Sequence, residues 1–89
     1  MLTGKARVNQ TLFVGNLDSR VTEEILFELF LQAGPLIYAI MAKDKKGNPK
    51  KFGFVCFKHP ESVPYAKALL NGIRLYGKPM KLHFQFGRL

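Results

Sequence analysis

Apolar positions along this 89-residue chain follow two different periods. Alternating runs rich in β-branched and aromatic residues predict strands over residues 11–17, 36–42, 51–57 and 79–86. Helical spacing predicts one helix that follows Thr22 and ends at Ala33, and a second that runs from Pro60 to Leu70. The resulting βαββαβ order predicts an α+β, ferredoxin-like sandwich, in which a four-stranded antiparallel sheet carries both helices on one face.

The ends of the first helix are marked by residues with specific backbone preferences. Thr22 is the expected N-cap, and Glu23 in the first turn favours the positive end of the helix dipole. We expect Gly34 to stop the helix in the left-handed conformation, and Pro35 cannot continue it.

The two central strands carry aromatic residues on the face that the helices leave uncovered. Because side chains alternate along a strand, Phe52, Phe54 and Cys56 share one face, while Gly53 falls on the other. The inward set is expected to be Leu12, Val14, Val55 and Phe57, with Gly53 where a helix packs closely. The open face then carries Phe13, Phe52, Phe54, His83 and Cys56, the last as a small neutral contact.

The net charge of the chain indicates what class of partner it binds. The chain has 14 Lys and Arg against 6 Asp and Glu, a net charge of +8, and many of its lysines fall between Lys43 and Lys58. Such a balance on a small domain indicates an anionic partner, although solubility alone is the simpler alternative. Single-stranded nucleic acid suits a surface on which rings stack on bases beside lysines that meet phosphates.

Several other functions are disfavoured by composition. One cysteine and two histidines leave no disulfide framework or metal cluster, so we expect no metal, no cofactor and a reducing compartment. No apolar run is long enough to cross a membrane. Asp18 and Glu23 suit a turn and a first helical turn, and no acid–base pair points to an enzyme.

Domain boundaries follow from where periodicity begins and ends. Residues 1–10 are expected to be a flexible N-terminal lead-in, 11–86 the domain and 87–89 a C-terminal tail. An alternative to nucleic-acid binding is that the open face is covered by Phe86, by a C-terminal extension or by a second molecule, any of which would bury the exposed rings.

Two short motifs give a resemblance to a known family. LFVGNL at residues 12–17 and KKFGFVCF at residues 50–57 resemble the RNP2 and RNP1 motifs of the RNA recognition motif family, with Lys51 where that family usually has glycine. The resemblance implies that Phe13, Phe52 and Phe54 stack on single-stranded RNA bases and that Lys50 pairs with phosphate. Further RNA contacts are expected from Lys51, Lys81 and His83.

Similarity to particular members of that family also implies a cellular role and a class of target RNA. The members that this chain resembles most are nuclear proteins of splicing regulation and exosome targeting, which implies a nuclear location and uridine- or pyrimidine-rich RNA.

Surplus apolar residues on the helices predict a second surface. The set is Ile25, Leu29, Tyr65 and Leu69. Relatives that the chain resembles hold a proline-containing segment of a scaffold protein on this face, which would leave the sheet available to RNA. The alternative is that these side chains belong to a larger hydrophobic core, with the aromatic rings only partly covered. Lys67 also lies on the second helix, where it must extend its charged end towards solvent.

Overall fold

A computed structural model describes residues 7–85 of the chain. A short 3-10 turn, Val8–Gln10, leads into the first strand, and the remaining elements follow in chain order. They are β1 Thr11–Gly15, α1 Glu23–Phe30, β2 Leu36–Lys43, β3 Pro49–Phe57, α2 Ser62–Leu70, β4 Arg74–Leu75, β5 Lys78–Pro79 and β6 Lys81–Phe84. The expectations for residues 1–6, for Phe86 and for the tail 87–89 fall outside the described residues.

The sheet confirms the predicted ferredoxin-like architecture. Its strand order is β2-β3-β1-β6, and every neighbouring pair is antiparallel. The central strands β1 and β3 are therefore the ones that carry the two aromatic motifs. Among the described residues, no helix is long and apolar enough to cross a membrane.

The core lies between the sheet and the two helices. The inward side chains of the central strands are those predicted, namely Leu12, Val14, Val55 and Phe57. One stripe of each helix packs against them: Leu26, Phe30, Ala33, Val63, Ala66 and Leu70. Two of its rings, Phe30 and Phe57, meet edge to face with centroids 6.5 Å apart. Burial of this apolar surface is the main favourable term in folding.

Two predicted helix boundaries differ from the structure. The α1 helix continues as a 3-10 turn, Leu31–Ala33, and Gly34 ends it at φ 151° and ψ 170° rather than in the left-handed region. Glycine is still required there, because a Cβ would overlap the hydroxyl of Ser62. The α2 helix begins at Ser62, later than the predicted Pro60, since a turn closed by the bond from Ser62 N–H to His59 C=O precedes it.

The strands also differ from the prediction at their ends. β1 stops at Gly15 because Asn16 adopts a positive φ of 59°. Before the last strand, β4 and β5 form a small hairpin around a turn at Tyr76 and Gly77, both of which have positive φ. The last strand itself starts at Lys81 rather than at Pro79.

Gly53 corrects one expectation about close packing. We expected a helix to approach this glycine, but a Cβ there would overlap the carbonyl of Ile40 on the neighbouring strand β2. The register places Gly53 opposite Met41, next to an irregularity between Met41 and Lys43. The N–H of Met41 donates to Glu23 of α1 at 2.8 Å, so this part of β2 is also tied to the helix layer.

We expect Gly53→Ala to lower the free energy of unfolding by about 1–3 kcal/mol, because the added methyl group has to displace strand backbone. Urea unfolding measures the change. Lys51→Ala, an exposed position on the same strand, is the control and should stay within about 0.5 kcal/mol of the wild type. Equal stabilities of wild type and Gly53→Ala would contradict the close approach to Ile40.

Candidate nucleic-acid interface

The open face of the sheet is organised in rows that cross the strands. The strand register places His83, Phe13, Phe54 and Ile40 side by side in the central row. Phe52 lies on the side of this row towards the β2–β3 loop. The opposite side is occupied by Thr11, Cys56 and Tyr38.

The rings of Phe13, Phe52 and Phe54 form one platform. Phe13 stacks on Phe52 with centroids 5.4 Å apart, and Phe54 meets Phe13 at 5.8 Å and Phe52 at 6.0 Å. All three rings are half-buried, because each covers part of its neighbours. The expected outward orientation of the rings is therefore present, with less exposure than three separate side chains would have.

Polar side chains border the platform on β6. His83 is exposed and pairs in register with Phe13, and the two ring centroids are 5.7 Å apart. Lys81 is exposed and lies opposite Gly15, two residues before His83 and so on the same face. Both residues therefore lie where the sequence placed them, and their contact with RNA remains a prediction.

Lysines 50 and 51 are exposed but occupy alternate positions of β3. Alternation places Lys50 on the face of Phe52 and Lys51 on the helical side. The carbonyl of Lys51 accepts the N–H of Leu17, which fixes its backbone. Lys50 is therefore the better placed of the two for a phosphate on the platform.

The β2–β3 loop keeps its shape through one carboxylate. Asp44 accepts the N–H groups of Lys46 and Asn48, each at 2.9 Å. These backbone hydrogen bonds, first that of Asn48, lower the pKa of Asp44. Because the carboxylate is used inside the turn, the exposed lysines of the loop face solvent at one end of the open face.

Comparison with known sequences decides the family. The RNA recognition motif profile matches residues 12–81, most of the chain and both strands of the aromatic platform. The chain belongs to the RNA recognition motif family. This is a family of RNA-binding domains rather than of enzymes, so the expected family, RNA binding as its general function and the absence of an enzymatic role are confirmed, whereas the roles of individual residues remain predictions.

Individual RNA recognition motif proteins are highly similar to this chain. Splicing regulator RBM11 of Mus musculus is 62% identical over 98% of the chain, which spans 37% of that protein. RNA-binding protein 7 of Homo sapiens is 62% identical over 92% of the chain, which spans 31% of it. The chain thus spans about a third of the length of these relatives.

Solved structures with RNA share the fold. A Sxl-lethal protein/RNA complex has a TM-score of 0.80 at 30% identity, covering 85% of this chain and 46% of that one. The Rna15 RRM with bound RNA (GU) has a TM-score of 0.74 at 29% identity, covering 84% of this chain and 81% of that one.

Cys56 is a correction on the open face. It has the same strand parity as Phe54, as expected, but its exposed fraction is 0%, so it is not an accessible contact. Tyr38 and Thr11 flank it in register. Burial, followed by the nearby Cys56, raises the pKa of Tyr38.

Residues 7–10, which the sequence predicts as part of the N-terminal lead-in, contribute to the end of the open face at Thr11 and Tyr38. The Thr11 hydroxyl donates to the carbonyl of Arg7 at 2.8 Å, and the Gln10 amide donates to the carbonyl of Phe57 at 2.9 Å. Arg7 then lines a cleft of about 230 Å³ together with Tyr38. Periodicity has no signal for Arg7, because it precedes the first strand.

The predicted helical surface is only partly exposed. Ile25 and Leu29 are half-buried and pack against the core, whereas Tyr65 and Leu69 are 56% and 44% exposed. Tyr65 and Leu69 are four residues apart on α2 and so lie on one face of that helix. Lys67 extends its ammonium group to 5.4 Å from the ring centroid of Phe84, which accounts for a lysine at this helix position.

Asp18 and Arg20 form an ion pair in the loop after β1. The Arg20 Nε lies 2.9 Å from Asp18 Oδ1, and its guanidinium lies 4.5 Å from the ring centroid of Tyr76. The hydrogen bond from Arg20 is the largest of the effects that lower the pKa of Asp18 from 3.8 to about 2. In the described part of the chain, no cluster of His, Cys, Asp and Glu side chains is arranged to hold a metal ion.

We expect the Asp18 carboxyl to titrate near pH 2 in the folded domain and at a higher pH after Arg20→Gln, although still below 3.8 because the backbone N–H of residue 20 continues to donate to it. Because the folded-state pKa is the lower one, the pair stabilises the fold above pH 3.8 and this contribution is lost as the pH falls towards 2. Carboxyl carbon chemical shifts measure both midpoints. A wild-type midpoint near 3.8 would show that the hydrogen bond is not formed in solution.

Proposed function

We propose that this domain binds single-stranded RNA by stacking bases on Phe13, Phe52 and Phe54. The observation that carries the proposal is the contact of these rings on the sheet face opposite the helices. Stacking of a base on an aromatic side chain contributes about 1–3 kcal/mol and tolerates different base sequences.

Charge around the platform supports the same function. Lys50 and Lys81 lie on the face of the rings, His83 borders Phe13, and the lysine-rich β2–β3 loop lies at one end of the face. Lys51 is a weaker phosphate candidate because of its position in the strand. Each phosphate that is neutralised should contribute about −0.7 to the slope of log affinity against log salt.

Uridine- or pyrimidine-rich RNA is the proposed target, in nuclear RNA processing. A similar RNA recognition motif is solved with bound GU RNA, which includes a uridine. A splicing regulator and RNA-binding protein 7 are each 62% identical to the chain. The likeness to a splicing regulator supports splicing regulation as the role of the whole protein and a nuclear location, and exosome targeting is the alternative role that the sequence resemblance implies.

We expect the double change Phe52→Leu and Phe54→Leu to weaken binding of a short oligouridine at least thirtyfold, about 2 kcal/mol for two lost stacking surfaces. Leucine keeps apolar contacts on the sheet but has no aromatic face. Fluorescence anisotropy measures affinity, and thermal unfolding checks that the fold is retained.

Tyr65→Leu is the matched control, since it removes an exposed aromatic ring from α2 rather than from the sheet. It should leave the affinity for oligouridine unchanged. Retained wild-type affinity in the folded double variant would refute stacking on the platform.

A second candidate function is protein interaction through the helical face. Tyr65 and Leu69 support it, because two large apolar side chains on one exposed face of α2 form a surface for a partner. Ile25 and Leu29 contribute less surface than the sequence indicated, since both pack against the core. The proposed occupant is a proline-containing segment of a scaffold protein, and its binding would leave the sheet open to RNA.

We expect Leu69→Glu to abolish binding of proline-containing peptides at α2 without changing affinity for RNA, because it places a charge in the proposed apolar contact. Amide chemical-shift titration with such peptides locates the contact. Ala68→Glu, which adds the same charge at the next exposed position, is the control and should bind as the wild type does. Peptide binding that persists in Leu69→Glu would exclude this face.

A further inference from the structure

A cleft extends the open face beyond the aromatic platform. Its walls come from the N-terminal turn, the sheet and the end of β6: Arg7, Val8, Thr11, Tyr38, Ile40, Phe54 and Gln85. Phe54 belongs to both surfaces, so the cleft continues directly from the platform. Its volume of about 230 Å³ is below the roughly 300–1,000 Å³ of sites for drug-sized ligands, and this suits a single base.

Arg7 is the cationic side chain in the wall of this cleft. Its backbone carbonyl accepts a hydrogen bond from the hydroxyl of Thr11, and Tyr38 lines the same cleft. The Arg7 Nη1 is buried, and among residues 7–85 no hydrogen-bond acceptor meets it. A buried charged donor without an acceptor is unfavourable, so a ligand that brings an acceptor gains more here than at an exposed lysine.

We propose that Arg7 recognises one base of the bound RNA. The cleft would hold a base that carries a carbonyl oxygen, and uracil fits it best. The inference rests on the proposed RNA-binding function and adds a residue that reads base identity. Phe54 and Ile40 supply the apolar wall against which the base would lie, and Arg7 supplies the hydrogen-bond donor in the same cleft.

Base chemistry favours uracil over adenine. A guanidinium only donates hydrogen bonds, and uracil presents carbonyl oxygens that accept them. Adenine has no carbonyl oxygen; its acceptors are ring nitrogens, and on its pairing edge the amino group beside N1 opposes the donors of the guanidinium. A contact of Arg7 with phosphate would instead be the same for every base.

Position along the sheet argues for a base at this end. The β2–β3 loop lysines lie at the Phe52 end of the face, whereas Arg7 lies at the end formed by Thr11 and Tyr38. A strand that crosses the platform from the loop would therefore reach the cleft after stacking on the rings. The charge of Arg7 is separated from the lysine cluster and is positioned to act on one nucleotide.

The test compares Arg7→Gln with Lys46→Gln, which removes the same charge from the exposed β2–β3 loop. Affinities for oligouridine and for oligouridines carrying one adenosine at each position in turn are measured by anisotropy. For the wild type, adenosine at one position should cost roughly tenfold. Arg7→Gln should abolish that position-specific preference, and Lys46→Gln should retain it.

Two results would overturn the proposal. One is a position-specific preference that survives Arg7→Gln, and the other is an equal loss of affinity for every base in Arg7→Gln and in Lys46→Gln. The Arg7 Nε–H signal of the wild-type protein provides a measurement that needs no variant. It should shift on adding oligouridine, and an unchanged signal while Phe13 and Phe54 respond would reject Arg7 and leave the platform intact.

Discussion

The helices cover only one face of the sheet, and this constraint determines which strand side chains the domain exposes. Both helices pack on the same face, where Leu12, Val14, Val55 and Phe57 are buried. Strand alternation then directs every second side chain to the other face, whatever its chemistry. The aromatic rings on that face expose apolar surface to water, which is unfavourable. Their contacts with one another reduce the exposed apolar area, because each ring covers part of its neighbours.

The open face is chemically graded from one end to the other. Lysines of the β2–β3 loop lie at one end, the platform of Phe13, Phe52 and Phe54 in the middle, and the Arg7 cleft at the other end. Attraction of phosphates by lysines is independent of base identity, and so is most of the stacking energy. Discrimination among bases is therefore expected to depend on directed donors at the border, and Arg7 carries a buried donor that meets no acceptor among residues 7–85.

Separation of the helical surface from the sheet gives the domain two independent faces. Tyr65 and Leu69 project from α2, while the rings project from the opposite side of the sheet. The core between them, which includes the Phe30–Phe57 contact, is common to both. The two proposed ligands, a protein segment on α2 and an RNA strand on the sheet, would therefore not compete, since neither would cover the residues proposed to bind the other.

Local patterns in the sequence were sufficient for the element order, the inward set and the outward rings, because alternation and helical period depend only on residues near each other in the chain. Tertiary structure decided what lies across from each residue. It showed that Gly53 meets the carbonyl of Ile40, that Cys56 is covered, and that Arg7 reaches the cleft beside Tyr38. These facts depend on strand pairing and on packing between residues distant in the chain, which no local period encodes.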